Sequence, residues 1–427
     1  MLGLTRTFGA LYLASLLMQM GSTLLMTYLA LRLSADGVAA FWGGALMAAN
    51  ALGMVVGGKV GQLLIERVGH IRTYVASAGV ISAAVLAHEF SDSLSFWLAL
   101  RILVGMGMMC QLMVLESWLN DRAASQDRGK VLGIYMLATY VGMVLGQLGL
   151  SLNGDLGVHA LLAVAMAFAL CLVPVALTRI SHPATLQAAR VDIGLFVRRV
   201  PQSLITVTMA GMIYSAFFGL AAIYASRQGL DTTQVGQLMA LTIGAGLLAQ
   251  LPLGWLSDRL PRASLIRGVA IGLVLIYLPL ALLDTPSFGV LMLVGACIGF
   301  LQFCLYPLGV ALANDNVEAE LRVSLAGLLL AAYGVGACIG PLLAGAAMEH
   351  FGASSLYYFS AGCAALLALV VSQAKVTGEH LQSDAPLHHQ ATPIGLASSP
   401  LAAAIEPVVV EVPVDDPAAD DAPPGTP

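Results

Sequence analysis

The chain has 427 residues, of which 59% are apolar and only 10% are Asp, Glu, Lys or Arg, and its formal net charge is -5. Soluble domains carry about 25% charged residues, so this composition excludes a soluble fold. Continuous apolar runs of about 20 residues predict spanning helices and exclude a spanning β-barrel, whose strands alternate apolar and polar residues. We therefore expect an all-α polytopic membrane protein.

Twelve apolar runs predict twelve membrane spans. In chain order they cover 8–31, 38–63, 71–88, 94–117, 131–152, 160–178, 203–225, 234–256, 265–283, 288–312, 323–347 and 354–374. The longest polar interval between them, Arg179 to Gln202, divides the spans six and six. We expect an N-terminal six-helix bundle at 1–178, a cytoplasmic central loop at 179–202 and a C-terminal six-helix bundle at 203–375.

The residues after Lys375 differ in composition from the rest of the chain. Eight of the 24 acids and none of the 19 Lys and Arg lie there, so this tail has a formal charge of -8 and the remainder +3. The tail is rich in Pro, Ala and Asp and has no aromatic residue other than His. Such a segment buries too little apolar surface to become ordered. We expect residues 376–427 to form a disordered cytoplasmic tail.

The positions of Lys and Arg predict the orientation. With the N-terminus in the cytoplasm, sixteen of the 19 fall on the cytoplasmic side, Arg32 and Arg227 fall outside, and Arg101 lies within span 4. Cytoplasmic loops carry an excess of Lys and Arg. We therefore expect a multi-pass protein of the cytoplasmic (inner) membrane with both termini inside.

The two halves of the chain repeat each other. Glu66-Arg67 after span 2 corresponds to Asp258-Arg259 after span 8 at an offset of 192 residues. An offset of 194 relates Asn120-Asp121 to Asn314-Asp315, Arg128 to Arg322, Gly105 to Gly299, Gly142 to Gly336 and Gly146 to Gly340. A duplicated six-helix unit is typical of transporters that rock about a central site.

Two motifs carry a resemblance to a known family. Gly254 to Arg262 reads GWLSDRLPR, which resembles the G-x-L-x-D-R-x-G-R loop of the Major Facilitator Superfamily, with Pro261 in place of the second Gly. In span 4, Arg101, Gly105 and Gly107 resemble that superfamily's R-x-x-x-G-x-G motif. The resemblance covers about residues 1–375. It implies two pseudo-symmetric six-helix bundles, twelve transmembrane helices and secondary active transport by alternating access.

Further residues resemble an orphan bacterial branch of that superfamily, the YcaD-type transporters. They include Glu116-Ser117, Arg128-Gly129-Lys130, Tyr135-Met136, Tyr140-Val141-Gly142, Leu145-Gly146-Gln147, Leu305-Tyr306-Pro307 and Gly340-Pro341. The resemblance implies proton coupling rather than Na⁺ coupling and names no substrate. The run from Gly336 to Pro341 resembles an exporter motif, although that motif belongs to helix 5 and this run lies in span 11, and it points to efflux.

Charged residues at the cytoplasmic loops of both halves are candidates for a gate. The set consists of Glu66, Arg67, Asp121, Arg128, Asp258, Arg259, Asp315 and Arg322. We expect their ion pairs to cross-brace the two halves when the cytoplasmic mouth is closed and to break when it opens. The alternative is that they are solvated charges at helix ends, each contributing little.

Arg101 lies about two turns from the outer end of span 4. An Arg within hydrocarbon costs about 2.5–3.5 kcal/mol, so we expect its side chain to face the protein interior. There it would contact the substrate or the polar residues Gln19 and Thr23. By the superfamily resemblance it would bind an anionic substrate group or couple to a proton. The alternative is that it snorkels to the outer headgroups.

Glu116 is the only acid within the apolar body of a predicted span. It lies about 22 Å from Arg101 along the helix axis, so the two cannot pair. A buried carboxyl group there is a candidate proton carrier, and the alternative is that Glu116 belongs to the gate. Drug antiporters of the superfamily often carry an acid in their first span. The absence of one from span 1 counts against proton antiport.

Polar and aromatic residues of spans 1, 4, 7 and 10 are candidates to line a substrate cavity, because these helices line it in the superfamily. They are Gln19 and Thr23 in span 1, Arg101 in span 4, Tyr214 in span 7, and Gln302 and Tyr306 in span 10. The alternative is that they form hydrogen bonds between helices, which contribute about 0.6 kcal/mol each on average.

Several function classes lack support. The six cysteines all lie inside apolar runs, so we expect no disulfide, metal site or cofactor. No P-loop and no nucleophile–base arrangement occurs, which argues against ATP drive and against an enzyme. The expected partners are the lipid bilayer, a small-molecule substrate and H⁺, with no nucleic acid, and the expected state is a monomer.

The predicted function is therefore proton-coupled transport of a small organic solute, with efflux favoured over uptake. The alternative is a transporter-like membrane sensor or scaffold that acts through its acidic tail.

Overall fold

The computed structural model describes residues 2–123, 127–153, 157–177, 193–283, 286–318, 321–372 and Ser399. The first part of the predicted central loop and all of the predicted tail except Ser399 lie outside these ranges. Within them the helices are α1 (Leu2–Ala35), α2 (Ala40–Val68), α3 (His70–Ala87), α4 (Leu94–Arg122), α5 (Arg128–Asn153), α6 (Val158–Ala176), α7 (Ile193–Arg199), α8 (Pro201–Arg227), α9 (Thr232–Ser257), α10 (Arg262–Leu282), α11 (Phe288–Asn314), α12 (Arg322–Phe351) and α13 (Ser355–Val370).

Twelve of these helices are apolar and form the body of the protein. Among the described residues, eleven helices, α1–α6 and α8–α12, are long and apolar enough to cross a membrane. The twelfth, α13, has 16 residues, which is roughly 24 Å against about 30 Å of hydrocarbon. The chain is a multi-pass membrane protein, and the predicted all-α fold is confirmed.

Helix α7 lies inside the segment predicted as a loop, 179–202. Its Phe196 is buried, and Arg199 in its last turn forms an ion pair with Glu318 at 2.5 Å. A cation in the last turn is favoured by the helix dipole. Seven residues are too few for a periodic apolar pattern to be recognised in the sequence.

The helices pack as two groups of six. Helices α1–α6, here called the N-terminal bundle, contact one another mainly through the pairs α2 with α4 and α1 with α5. Helices α8–α13, the C-terminal bundle, use the pairs α9 with α11 and α8 with α12. These pairs occupy equivalent positions in the two bundles.

Equivalent glycines make these close approaches possible. A Cβ atom on Gly105 of α4 would collide with the backbone oxygen of Asn50, and one on Gly299 of α11 would collide with that of Thr242. The two glycines are 194 residues apart and their two partners 192. Small residues let spanning helices approach backbone to backbone.

The second pair of helices repeats in the same way. Gly142 of α5 approaches the backbone of Leu16, and Gly336 of α12 approaches that of Thr208. The offsets are again 194 for the glycines and 192 for their partners. The duplicated six-helix unit predicted from the sequence is therefore present as duplicated packing.

The two ends of the molecule differ in charge. We call the basic end the one at which α2, α4, α9 and α11 finish, because most of the Lys and Arg lie there. The opposite end is the one at which α1 and α8 finish, at Ala35 and Arg227.

At the opposite end the two bundles contact each other directly. The hydroxyl groups of Ser34 and Ser226 lie 3.1 Å apart, and these residues are 192 positions apart in the chain. Equivalent residues meet only at the axis that relates two repeats, so the pseudo-twofold axis passes between them. The Ala40 N–H at the start of α2 also donates to Glu349 Oε2 of α12 at 3.2 Å.

Two glycines bring the bundles together further inside this end. A Cβ atom on Gly44 of α2 would collide with the Pro341 backbone oxygen of α12, and one on Gly236 of α9 would be 2.7 Å from the Gln147 backbone oxygen of α5. Gly44 and Gly236 are 192 residues apart, and Gln147 and Pro341 are 194 apart. The contact between the bundles therefore obeys the same pseudo-symmetry as the bundles themselves.

Candidate functional site

Arg101 lies in the interior between the two bundles. Its side chain is 3% exposed and lines a small cavity with residues of α1 and α2, and with Gly219 of α8. Among the described residues it makes no hydrogen bond or ion pair, and its Nε is fully buried. A buried guanidinium is costly without an anionic partner, so the chemistry of this position suits an anionic group.

Arg101 forms no hydrogen bond with Gln19 or Thr23 in this structure. The Thr23 hydroxyl donates to the backbone oxygen of Gln19 at 2.9 Å and lies 3.1 Å from that of Met143 in α5. Its own backbone oxygen accepts from Gln147 Nε2 at 3.3 Å. Thr23 therefore faces α5 and joins two helices.

Glu116 lies fifteen residues after Arg101 on α4, close to the basic end, and is 1% exposed. The Tyr135 hydroxyl of α5 donates to its Oε1 at 3.2 Å. The backbone N–H of Ser399 donates to Oε2 at 2.8 Å, and the Ser399 hydroxyl donates to the same oxygen. Tyr306 of α11 lies close enough to Glu116 for the two groups to interact electrostatically. The carboxyl group thus lies where α4, α5, α11 and a part of the tail meet.

An aromatic cluster lies between Arg101 and Glu116 along the bundle interface. Tyr214 stacks on Phe218 with ring centres 4.4 Å apart and meets the Phe303 ring edge-on at 5.2 Å. Tyr140 of the N-terminal bundle lies 5.5 Å from Phe303 of the C-terminal bundle. The Tyr140 hydroxyl has no hydrogen-bond partner in the described part of the chain. The cluster offers aromatic faces and an available hydroxyl to a ligand.

The two candidates on α11 have different surroundings. Gln302 accepts a hydrogen bond from the Tyr277 hydroxyl of α10 at 3.3 Å, and its Nε2 has no partner among the described residues. Tyr306 meets the Tyr333 ring edge-on at 5.1 Å. Gln302 therefore points partly into its own bundle, whereas Tyr306 lies near Glu116. Gln19 is buried, and its Nε2 also lacks a partner in the described ranges.

Two of the gate candidates have contacts within their own bundle at the basic end. Asp315 pairs with Arg262 of its own bundle, and Arg262 also donates to the Ala311 backbone oxygen at 3.0 Å and to the Ser257 hydroxyl at 3.1 Å. The Arg259 guanidinium lies 3.9 Å above the centre of the Trp255 ring.

The other gate candidates also have local surroundings. Glu66 accepts from Gln62 at 3.0 Å, and Asp121 lies 4.0 Å from its neighbour Arg122. Arg67 lies in the last turn of α2, and Asp258 is the C-cap residue of α9. Arg322 is the first residue of α12, and its side chain is buried. The side chain of Arg128 lies outside the described part of the structure. A gate that braces the bundles stays a prediction for a state closed at the basic end.

The comparison with known families covers most of the chain. The family model described as Major Facilitator Superfamily matches residues 11–317 and again residues 285–405. The chain belongs to the Major Facilitator Superfamily. Members of this superfamily are transporters, so the protein is a membrane transporter for a small-molecule substrate and is not an enzyme.

Curated relatives within the superfamily bear the name "Uncharacterized MFS-type transporter YcaD". The chain is 27% identical to the one from Salmonella enteritidis over 370 residues, which covers 86% of this chain and 95% of that protein. It is 27% identical to the one from Escherichia fergusonii over 369 residues, with the same coverage. The predicted similarity to the YcaD-type branch is confirmed.

Solved superfamily structures are similar in fold. The crystal structure of the nucleoside transporter NupG has a TM-score of 0.73 at 14% identity and covers 84% of this chain and 96% of that one. A bacterial homologue of the human lysosomal transporter Spinster, in an inward-facing and occupied conformation, has a TM-score of 0.75 at 15% identity and covers 89% and 99%. At these identities the likeness establishes the fold alone.

Several residues of this superfamily member have contacts in the structure that the sequence does not predict. They are Arg262, Tyr135, Phe218, Phe303 and Ser399. The two phenylalanines are ordinary apolar residues of a span in the sequence, and only packing shows that they face the bundle interface. Arg262 belongs to the loop motif in the sequence, but no sequence pattern identifies Asp315, 53 residues later, as its partner.

Proposed function

We propose that the protein is a secondary active transporter of the cytoplasmic membrane that moves a small organic solute by alternating access, driven by protons and in the export direction. It acts as a monomer with the basic end and both termini in the cytoplasm. The Lys and Arg bias supports this orientation. The contacts between the bundles at the opposite end fit the state that is closed on the outer side.

The observation that carries the proposal is the buried Arg101 in a cavity between α1, α2 and α8. A cation without a partner in that position favours a solute with an anionic group, such as a carboxylate. Gly219 belongs to the C-terminal bundle, so the site is shared by both bundles. A ligand bound there contacts both moving parts, which alternating access requires.

Glu116 is proposed as the proton carrier. It is a buried carboxyl group on the same helix as Arg101 and close to the basic end. Arg101 and Glu116 are about 22 Å apart along the axis, so the solute and the proton occupy separate sites. Rocking of the two bundles exposes both sites to one side of the membrane and then to the other.

The test begins with a thermal-shift screen of purified protein against organic acids, amines and neutral metabolites. Anionic solutes should raise the melting temperature of the unsubstituted chain, and Arg101→Lys should abolish this shift because a point charge does not replace the planar fork of the guanidinium. A screen in which only cationic solutes shift the melting temperature contradicts the role given to Arg101.

Proton coupling is tested in vesicles with the solute that the screen identifies. Glu116→Gln should abolish uptake driven by a pH gradient and leave solute exchange at equal pH nearly intact, because exchange moves no net proton. Gradient-driven flux that survives the substitution ends the proposal that Glu116 carries the proton. Loss of both activities places Glu116 in the gate or in folding instead.

A further inference from the structure

A second cavity lies where α2 of the N-terminal bundle meets α12 of the C-terminal bundle. Its volume is about 110 Å³, and its lining includes Met54, Gly58 and Met109 from one bundle and Gly327 and Gly334 from the other. The described residues that line it carry no charge. It shares no lining residue with the cavity described above, so it is a separate and apolar place between the bundles.

The mouth of this cavity faces the lipid. Val55 and Ala331 line the cavity and are exposed on the outside of the protein. Val55 lies fifteen residues after Ala40, where α2 begins, and thirteen before Val68, where it ends, so about 20 Å of helix separates it from either end. A side chain exposed at this depth contacts the hydrocarbon of a bilayer. A ligand can therefore reach the cavity from the bilayer.

The pseudo-symmetric counterpart of this place, between α5 and α9, is filled by larger side chains. The offsets of 192 and 194 residues that relate the bundles pair three lining residues of the cavity with larger ones: Gly58 with Gln250, Met109 with Phe303 and Gly334 with Tyr140. The rings of Tyr140 and Phe303 have their centres 5.5 Å apart, and Gln250 Nε2 donates to the Phe303 backbone oxygen at 3.4 Å. The cavity thus lies where the other side of the molecule holds the Tyr140 ring.

The filled side shows which group fits the open one. There an aromatic ring from one bundle packs against a residue of the other bundle, and Gly334 stands in place of that ring at the cavity. Met54 and Met109 line the cavity, and methionine sulfur makes favourable contacts with aromatic rings. An apolar protein cavity of about 150 Å³ binds benzene, so about 110 Å³ with an open side accommodates one ring.

The two cavities follow each other along the same helices. On α2, Met47 lines the cavity of Arg101 and Ala51, one turn later, lines the apolar cavity. On α4, Arg101 and Met109 are eight residues apart, or about 12 Å along the helix axis. A solute with an anionic group at one end and a ring at the other can contact both cavities.

We propose that the cavity between α2 and α12 binds the uncharged aromatic ring of the transported solute, which enters from the bilayer. The substrate class is then that of aromatic acids whose ring and anionic group are well separated. The ring's place in a transported solute rests on the proposed function, whereas the binding of a ring to the cavity does not. A ring bound there contacts both bundles, so its affinity differs between the states of the transporter.

The first test maps a photoreactive phenyl diazirine on the full chain in nanodiscs, by mass spectrometry. The probe should label Met54 and Met109, and toluene at about ten times its dissociation constant should lower this labelling about tenfold by mass action. Labelling of Leu251, which is 79% exposed and outside the cavity lining, should stay unchanged. Labelling of the two methionines that toluene does not reduce overturns the proposal.

Methylcyclohexane is the matched competitor without an aromatic face. It should compete at least about threefold less well than toluene, because it lacks the contact between sulfur and the ring. Equal competition by the two compounds shows that the cavity takes any apolar group, such as a lipid chain, and contradicts the assignment of a ring.

The second test fills the cavity by substitution. Gly327→Phe adds a side chain at a position where a Cβ atom meets no other atom within 4 Å, and it should remove the toluene-sensitive labelling of Met109. Gly133→Phe is the matched control, because Gly133 is the residue 194 positions earlier on α5 and its Cβ would also meet open space. It should leave the labelling unchanged, and equal labelling of Met109 in the two variants contradicts the site.

The third test separates the ring from the anionic group in the thermal-shift assay. Phenyloctanoate should raise the melting temperature more than octanoate does, and Gly327→Phe should make the two shifts equal. Arg101→Lys should instead abolish the shift with either acid. A larger shift with phenyloctanoate that survives Gly327→Phe overturns the ring site alone, whereas shifts that survive Arg101→Lys overturn the role of Arg101 alone.

Discussion

The two ends of the protein hold its bundles in different ways. At the opposite end, contacts run from one bundle to the other through Ser34 with Ser226, Ala40 with Glu349, and the close approach of Gly44. At the basic end, the ion pairs of Asp121, Asp127 and Asp315 each lie within one bundle, and Glu318 pairs with Arg199 of α7. In this structure packing therefore joins the two bundles at the opposite end, whereas these ion pairs do not join them at the basic end.

The largest expected effect concerns a basic-end ion pair. Asp315→Asn leaves the buried Arg262 without its carboxylate and should lower the free energy of unfolding by about 3 kcal/mol. Thermal unfolding of the purified protein measures this loss. The matched control is Asp121→Asn, whose pair with Arg122 is more than a third exposed on both sides, and whose loss should cost under about 1 kcal/mol.

The same Asp315→Asn variant tests whether the pair acts within one bundle. Labelling of a cysteine at position 34 by a membrane-impermeant maleimide should stay unchanged, because the pair does not join the bundles. Faster or slower labelling in Asp315→Asn shows instead that the charge couples to the opposite end.

A smaller effect is expected at a glycine of the bundle interface. Gly44→Ala places a Cβ atom against the Pro341 backbone oxygen, which cannot move without separating α2 from α12. Overpacking of this kind costs about 1–3 kcal/mol, so labelling of a cysteine at position 34 should rise about tenfold. Gly58→Ala on the same helix, where the added atom meets open space, is the control. Equal labelling of the two variants shows that Gly44 does not hold this end closed.

The smallest effect concerns Glu349. Its carboxylate accepts from the Ala40 N–H at the first turn of α2, where the helix dipole stabilises an anion by about 0.3–1 kcal/mol. Glu349→Gln keeps an acceptor but removes the charge, so labelling at position 34 should rise about threefold. High salt should reproduce part of this rise in the unsubstituted protein, and a rise of tenfold or more would show that Glu349 does more than complement the dipole.

Much of the fold can be predicted from the sequence because few backbone structures are stable in the hydrocarbon of a bilayer. Apolar runs must become helices that satisfy their own backbone, and duplicated glycines at one offset predict duplicated close approaches, as Gly105 and Gly299 show. The cost of Arg101 in lipid places its side chain in the interior without knowledge of any partner. These inferences need only the composition of each segment and the free-energy cost of placing a charge or an unpaired backbone group in the hydrocarbon of the bilayer.

The partners of individual side chains could not be predicted in the same way. Thr23 faces α5 rather than the interface between the bundles. Which way it faces depends on the rotation of α1 about its own axis, and the sequence alone does not determine that rotation. Several arginines of the C-terminal half are candidates to pair with Asp315, and only the folded structure shows that its partner is Arg262. Ser399 lies in a segment whose composition predicts disorder, and one buried contact cannot be read from composition.

Contact between the bundles at the opposite end should define one state of an alternating cycle. The Ser34 and Ser226 hydroxyl oxygens lie 3.1 Å apart, so cysteines at both positions should form a disulfide on mild oxidation. The crosslink should abolish exchange of the solute found in the thermal-shift screen, reductant should restore it, and Ser34→Cys alone should be unaffected by oxidant. Full exchange by the crosslinked protein would contradict the account.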